Sequence, residues 1–198
     1  MFLCICAFSF MDIIVKWSVN YPIGQVMFFR GFFGIVFYFF IIPKNRLHNF
    51  YVTKKVGLHL ARCVSGSIAL VAIFIALRKL PLATVVSVSY AAPIFTTILS
   101  IFLLSEKVGI YRWLAVVVGF IGILVITEPG ISSLNIYYIF PIIFCLGLAY
   151  VAITLRQLSK TEPVWLISFY FSLSITILSF FTIPSGWVIP SIYDFVLL

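Results

Sequence analysis

The sequence predicts an all-α fold: a polytopic membrane helix bundle with inverted five-helix repeats, the second of them truncated. Three observations predict it. Hydrophobic residues make up 64% of the chain and charged residues only 9%, where soluble domains carry roughly a quarter charged. A water-soluble globule of this length could not hide so much apolar surface. The apolar runs are about 20 residues long, which is what a helix needs to cross roughly 30 Å of hydrocarbon. Proline, glycine and charge signals separate the runs cleanly. Backbone polar groups in lipid must be satisfied internally, which selects helices, and the alternation of a barrel strand is absent.

The elements follow in order. A first span covers roughly 2–19 and is broken by Asn20-Tyr21-Pro22. The second, about 23–42, stops at Pro43-Lys44-Asn45-Arg46. A basic loop with Lys54 and Lys55 leads to the third, about 58–77. Arg78-Lys79-Leu80-Pro81 makes a tight connection to the fourth, about 83–104. Ser105-Glu106-Lys107 turns into the fifth, about 110–127, closed by Glu128-Pro129-Gly130. The sixth, about 136–156, ends at Arg156 and a loop from Ser159 to Pro163. The seventh covers about 164–183 and ends at Pro184-Ser185-Gly186. Tyr193 to Leu198 read as the opening of an eighth. No cleavable leader is expected, because FLCICAFSF follows Met1 without a basic region or small-residue cleavage site.

The net charge of +8 sets orientation and does not point to nucleic acid. With the N-terminus cytoplasmic, Lys44, Arg46, Lys54, Lys55, Lys107, Arg112, Arg156 and Lys160 lie inside, and only Arg78 and Lys79 lie outside. Cys4, Cys6, Cys63 and Cys145 sit in apolar helices without metal-like spacing and read as small apolar core residues. No metal and no cofactor are expected.

A shift of 141 residues gives a weak self-match. Pro22 and Pro43 bracket the second span as Pro163 and Pro184 bracket the seventh. Cys4 meets Cys145, Ser18 meets Ser159, Phe28 meets Phe169, and Phe39-Phe40 falls on Phe180-Phe181. The sixth span thus falls on the first, so one unit holds five helices and an odd unit inverts on repetition, as in many secondary transporters. The expected division is 1–130, a complete first repeat, and 131–198, with two helices and the start of a third. Two full units need about ten helices, so the last two or three are expected to be missing.

The stretch 74–126, FIALRKLPLATVVSVSYAAPIFTTILSIFLLSEKVGIYRWLAVVVGFIGILVI, closely resembles the EamA domain of the drug/metabolite transporter superfamily. The matching features are Leu80-Pro81-Leu82-Ala83, the mid-span Ala92-Pro93, Ser105-Glu106-Lys107, Trp113, and the glycines Gly119 and Gly122. Asp12 to Lys16 and Phe28-Phe29-Arg30-Gly31 resemble the family's first two spans. The resemblance implies ten helices in two repeats, a bacterial inner membrane and a central substrate cavity. Members move amino acids, metabolites, nucleotide-like solutes or drugs, and within the superfamily the chain is similar to S-adenosylmethionine uptake transporters. The departure is length, since the second repeat is incomplete.

Ionisable groups inside spans are costly and are default functional candidates. Asp12 and Lys16 are four apart and share one face of the first helix. Arg30 and Asp12 lie at similar depth, about 12 Å from the outer ends of their spans at 1.5 Å rise, so neighbouring antiparallel helices would pair them. The cluster either binds a substrate carboxylate or relays a proton, or it is a buried ion pair that fixes packing. Arg62, near the inner boundary, reads as snorkelling, and Glu106 as a helix cap or loop salt bridge. Thr84, Ser87, Thr97 and Ser100 recur around Tyr90 and Pro93, and Ser168, Ser172 and Ser179 recur in the seventh span. Such stripes line cavities or glue helices together, and Pro93 either breaks or kinks the fourth helix. Ser65, Ala69, Ala72 and Ala76 form a packing seam, as do Ala115 and Gly119. Trp17, Tyr21, Trp113 and Trp187 form an interfacial belt. The expected substrate-binding set is Asp12, Lys16, Arg30, Ser87, Tyr90, Pro93 and Tyr150.

Enzyme chemistry is not expected. His48 and His59 are the only histidines, both near the predicted cytoplasmic loop, with no HExxH, Ser/His/Asp or GxxxxGK[ST] arrangement. A channel lacks a filter segment or charged ring. The predicted function is secondary transport of a small metabolite by alternating access. The rival readings are a non-transporting membrane fragment and a membrane-embedded enzyme. The expected partners are a small-molecule substrate and the lipid bilayer, with no nucleic acid and a homodimer as an open assembly.

Overall fold

The computed structural model describes residues 2–41, 53, 55–105, 109–127, 136–188 and 190. Helices account for the regular structure: α1 (Phe2–Trp17), α2 (Ile23–Ile41), α3 (Val56–Lys79), α4 (Leu82–Ser89), α5 (Ala92–Leu104), α6 (Ile110–Thr127), α7 (Ile139–Leu158) and α8 (Val164–Phe180). No strand occurs among the described residues. The sequence signals account for the boundaries. Pro22, Pro81 and Pro163 precede helices, where a missing N–H costs nothing, and Gly186 adopts φ 86 beyond α8, a left-handed position suited to glycine. Glu106, Lys107, Glu128 to Gly130 and the expected eighth-span opening at Tyr193 lie outside the described residues.

Val56–Lys79, Leu82–Leu104 and Ile136–Leu158 are long and apolar enough to cross a membrane by length and composition. Shorter apolar helices run Ile23–Tyr38, Trp113–Gly122 and Val164–Phe180. Their outer faces carry large exposed hydrophobics such as Phe37, Phe40, Phe102, Val118 and Val125, an arrangement suited to lipid. The chain divides into two compact units, 1–63 with 157–198 and 64–156.

In the first unit α2 packs antiparallel along α8. Gly24, Gly31 and Gly34 of α2 face Thr182, Thr176 and Ser172. A Cβ on Gly34 would lie 2.8 Å from Ser172 Oγ, and one on Gly31 would lie 3.0 Å from the Ser172 carbonyl oxygen and against the Thr176 hydroxyl. Small residues let the two backbones approach, and the close fit supplies packing energy that lipid exclusion does not. Gln25, 1% exposed, clasps the segment beyond α8: its Nε2 donates to the Val188 carbonyl at 2.6 Å, and the Val188 N–H donates to its Oε1 at 3.1 Å. Trp187 packs on Phe28 with ring centroids 5.1 Å apart.

In the second unit, buried Ala69, Ala72, Phe74, Ala76 and Leu77 of α3 and Cys145, Ala149 and Ile153 of α7 form the core. Gly147 brings α7 onto α3, where an added Cβ would sit 2.8 Å from Ala69 Cβ. The Ala115–Gly119 seam is a correction: Ala115 is exposed, and a Cβ on Gly119 would meet only Ile94 Cδ1 at 3.9 Å, an ordinary contact. Cys6 is also corrected. It is exposed, whereas Cys63 and Cys145 are buried as core residues.

Candidate functional site

The charged candidates all fall in the first unit. Asp12 and Lys16 sit one turn apart on α1, both half-buried, and Arg30 sits half-buried on α2. Arg30 Nη1 lies 2.8 Å from the Met11 thioether sulfur. Its guanidinium is the opposing charge that acts on the Asp12 carboxylate, and Asp12 acts on it in return. The contact with Met11, the neighbour of Asp12 in the chain, places the Arg30 guanidinium beside this part of α1. Such a site offers one charge of each sign inside an apolar surround, where electrostatic contacts are strong.

Ser87, Tyr90, Pro93 and Tyr150 fall in the second unit. The fourth span is broken at Tyr90–Ala91, between α4 and α5. The break lies just before Pro93, which occupies the first turn of α5. Pro93 has no N–H to return to the Ser89 carbonyl four residues back. The chain tightens instead: Ala91 N–H donates to the Val88 carbonyl at 2.9 Å, and Tyr90 N–H reaches the Val86 and Ser87 carbonyls at 3.2 and 3.3 Å. The Cys145 thiol, fully buried on α7, donates to the Val88 and Ser89 carbonyls at 3.3 and 3.8 Å. Tyr90 is 69% exposed at the break, Pro93 is exposed, and Ser87 and Tyr150 are half-buried.

Two hydroxyls of the fourth-span stripe bond within their own helix, as does Thr176 of α8, whereas the Ser179 hydroxyl of the seventh-span stripe is buried without a partner among the described residues. Thr97 donates to the Pro93 carbonyl at 2.9 Å, Ser100 to the Thr97 carbonyl at 2.8 Å and Thr176 to the Ser172 carbonyl at 2.8 Å. Ser172 of the α8 stripe meets Gly34, which places it in helix packing. An apolar groove of about 320 Å³ lies between α5 and α6, lined by Ile94, Phe95, Ile98, Val117 and Phe120. It offers no charged or hydrogen-bonding side chain.

Two features were passed over in the sequence, Gln25 and Cys145 as a hydrogen-bond donor, and His59, read as lying near the cytoplasmic loop, is buried. Gln25, with Arg30 one of two strongly polar residues in α2, was a readable signal, because a buried amide must find partners.

The EamA-like transporter family matches residues 1–128. The chain belongs to that family. Among its relatives, the S-adenosylmethionine uptake transporter of Rickettsia prowazekii (strain Madrid E) is 29% identical over 175 residues, covering 88% of this chain and 59% of the relative. The pseudopaline exporter CntI of Pseudomonas aeruginosa (strain UCBPP-PA14) is 29% identical over 188 residues, covering 93% of this chain and 65% of the relative. An uncharacterized transporter of Helicobacter pylori (strain ATCC 700392 / 26695) is 33% identical over 119 residues, covering 58% and 39%. The chain thus spans about three-fifths of the length of the first of these relatives. No solved structure matches it. The family and these relatives are transporters, not enzymes, and membership makes the chain a multi-pass protein of the bacterial inner membrane.

Proposed function

We propose that the complete protein is a secondary carrier that moves a small metabolite across the bacterial inner membrane by alternating access. The observation that carries this reading is an opposed charge pair, Asp12 and Arg30, inside a chain of the EamA-like transporter family. S-adenosylmethionine is the first substrate to test, because several Rickettsia relatives are named for its uptake. A molecule carrying both an amino group and a carboxylate can offer the first to Asp12 and the second to Arg30 or to Lys16, one turn from Asp12 on α1. Ser87, Tyr90 and Tyr150 are proposed to contribute polar contacts to substrate, with Pro93 supplying the break in the fourth span.

The repeats 1–130 and 131–198 are proposed to be related by inverted topology, with the N-terminus cytoplasmic. Support comes from α2 and α8, which correspond under the 141-residue shift and run antiparallel. Gly31 meets Ser172, its own counterpart under that shift. A two-fold axis in the membrane plane produces such a self-matched contact.

The test is solute counterflow in vesicles bearing the complete protein. The reading expects saturable S-adenosylmethionine exchange that falls at least tenfold in Asp12→Asn and Arg30→Gln at equal membrane content. Full exchange in both variants would remove the pair from the substrate path. Absence of exchange for S-adenosylmethionine and for a panel of amino acids would refute the carrier reading.

A further inference from the structure

The N-terminal part of α3 and the facing part of α8, in the first unit, hold a second polar cluster. His59, in the first turn of α3, is only 5% exposed, yet neither ring nitrogen has a hydrogen-bond partner among the described residues. A neutral imidazole carries one donor and one acceptor, so the group enters this apolar contact with two unmade hydrogen bonds. Its ring lies on Tyr170 of α8, with centroids 4.9 Å apart. Burial is the larger influence on its charged form, and the Glu162 carboxylate in the turn before α8 works against it. Glu162 is held in place, for Thr53 Oγ1 donates to its Oε1 at 2.9 Å, and the same Thr53 oxygen accepts the Lys55 N–H at 3.2 Å.

One turn along α3, the Arg62 guanidinium stacks over the Phe171 ring at 4.1 Å. The Cys63 thiol donates to the Tyr170 carbonyl at 3.6 Å. Among the described residues, the titratable and charged groups around His59 are Arg62 and Cys63 on α3, Lys55 just before it, Tyr170 on α8, and Glu162 in the turn that leads into α8.

We propose that His59 is the proton-binding site that couples the carrier to a proton gradient. The coupling rests on the carrier reading above, whereas the proton site does not. Burial disfavours the charged imidazole and the fixed carboxylate favours it, so proton uptake here depends on how closely this end of α3 stays packed. The same proton changes the packing balance. His59 and Arg62 are three residues apart on one helical face, so a second positive charge there repels the guanidinium from its place on Phe171. Proton binding at His59 thereby loosens the α3–α8 contact at this end, and proton release lets Arg62 settle back.

Two measurements on the complete natural protein test this. The first is 15N NMR of imidazole nitrogens in lipid nanodiscs, with the His59 resonance assigned by its loss in His59→Gln. It is expected to titrate reversibly between about pH 5 and 8, and its midpoint to move by about one unit in Glu162→Gln. A resonance unchanged across that range, or one that titrates identically in Glu162→Gln, would overturn the proposal. The second is S-adenosylmethionine accumulation in vesicles under an imposed pH gradient, with equal-pH exchange measured alongside. One coupled proton changes accumulation about tenfold per pH unit. That response is expected in the natural protein and lost in His59→Gln, while exchange persists in both. A pH response retained in full by His59→Gln would overturn the coupling role. Exchange absent from every form would refute the carrier reading instead, and the NMR titration would still decide the proton site.

Discussion

Replacing Gly31 with alanine adds one methyl group where the backbones of α2 and α8 approach each other. The new Cβ would lie 3.0 Å from the Ser172 carbonyl oxygen and 3.1 Å from the Thr176 amide nitrogen, as well as against the Thr176 hydroxyl. Two of these are backbone atoms of a continuous helix and cannot swing aside, so the helices must separate. Overpacking of this kind costs about 1–3 kcal/mol, and the helix propensity gained from glycine to alanine returns about 1 kcal/mol. The net is a loss of about 1 kcal/mol, or about 3 °C in Tm for a chain of this size. The control is Gly122→Ala on α6, where nothing lies within 4 Å of the added Cβ and propensity acts alone. Thermal unfolding in detergent, followed by tryptophan fluorescence, should place Gly31→Ala below the natural protein and Gly122→Ala at or above it. A Gly31→Ala protein as stable as Gly122→Ala would refute the small-residue basis of the α2–α8 interface.

Other consequences follow from the same geometry. Gln25→Leu leaves the N–H and carbonyl of Val188 without the amide that now binds both. Amide exchange at Val188, read by mass spectrometry, should rise about tenfold for each 1.4 kcal/mol lost; unchanged exchange would contradict the clasp. Cys145→Val removes the donor beneath the break in the fourth span and should cost about 1 kcal/mol in thermal stability, with Cys145→Ser retaining most of it; equal losses would assign the effect to volume alone. Breaking a charge pair exposes the surviving partner to lipid. The double variant Asp12→Asn/Arg30→Gln should therefore insert and fold better than Arg30 left alone in Asp12→Asn, and the reverse order would show that the two charges do not pair.

Much of the fold was readable because membrane helices are punctuated by residues whose physics is local. Pro22, Pro81 and Pro163 mark helix starts, and the basic loops and Pro184-Gly186 mark the ends. The break in the fourth span was visible as Ala92-Pro93, although a proline in the first turn of α5 places the discontinuity at Tyr90–Ala91. What was not readable is which face of each helix meets which neighbour. Apart from Gln25 and Arg30, α2 carries large apolar residues on every side, so periodicity carries little facing signal. Its three contact glycines are identified only once α8 lies against them. For the same reason Ala115 and Gly119 looked like a seam, yet lie on an exposed surface. His59 was read as loop-adjacent because its sequence neighbours Lys54 and Lys55 are charged. Its burial comes from Tyr170, which lies 111 residues away in sequence.

Site-directed reporter fusions near Lys54 and near Ser185 address the inverted arrangement on which the carrier account stands. These two positions follow α2 and α8, the helices that correspond under the repeat. The account predicts that the reporter near Lys54 is cytoplasmic and the one near Ser185 is on the opposite side. Both reporters on one side of the membrane would contradict it.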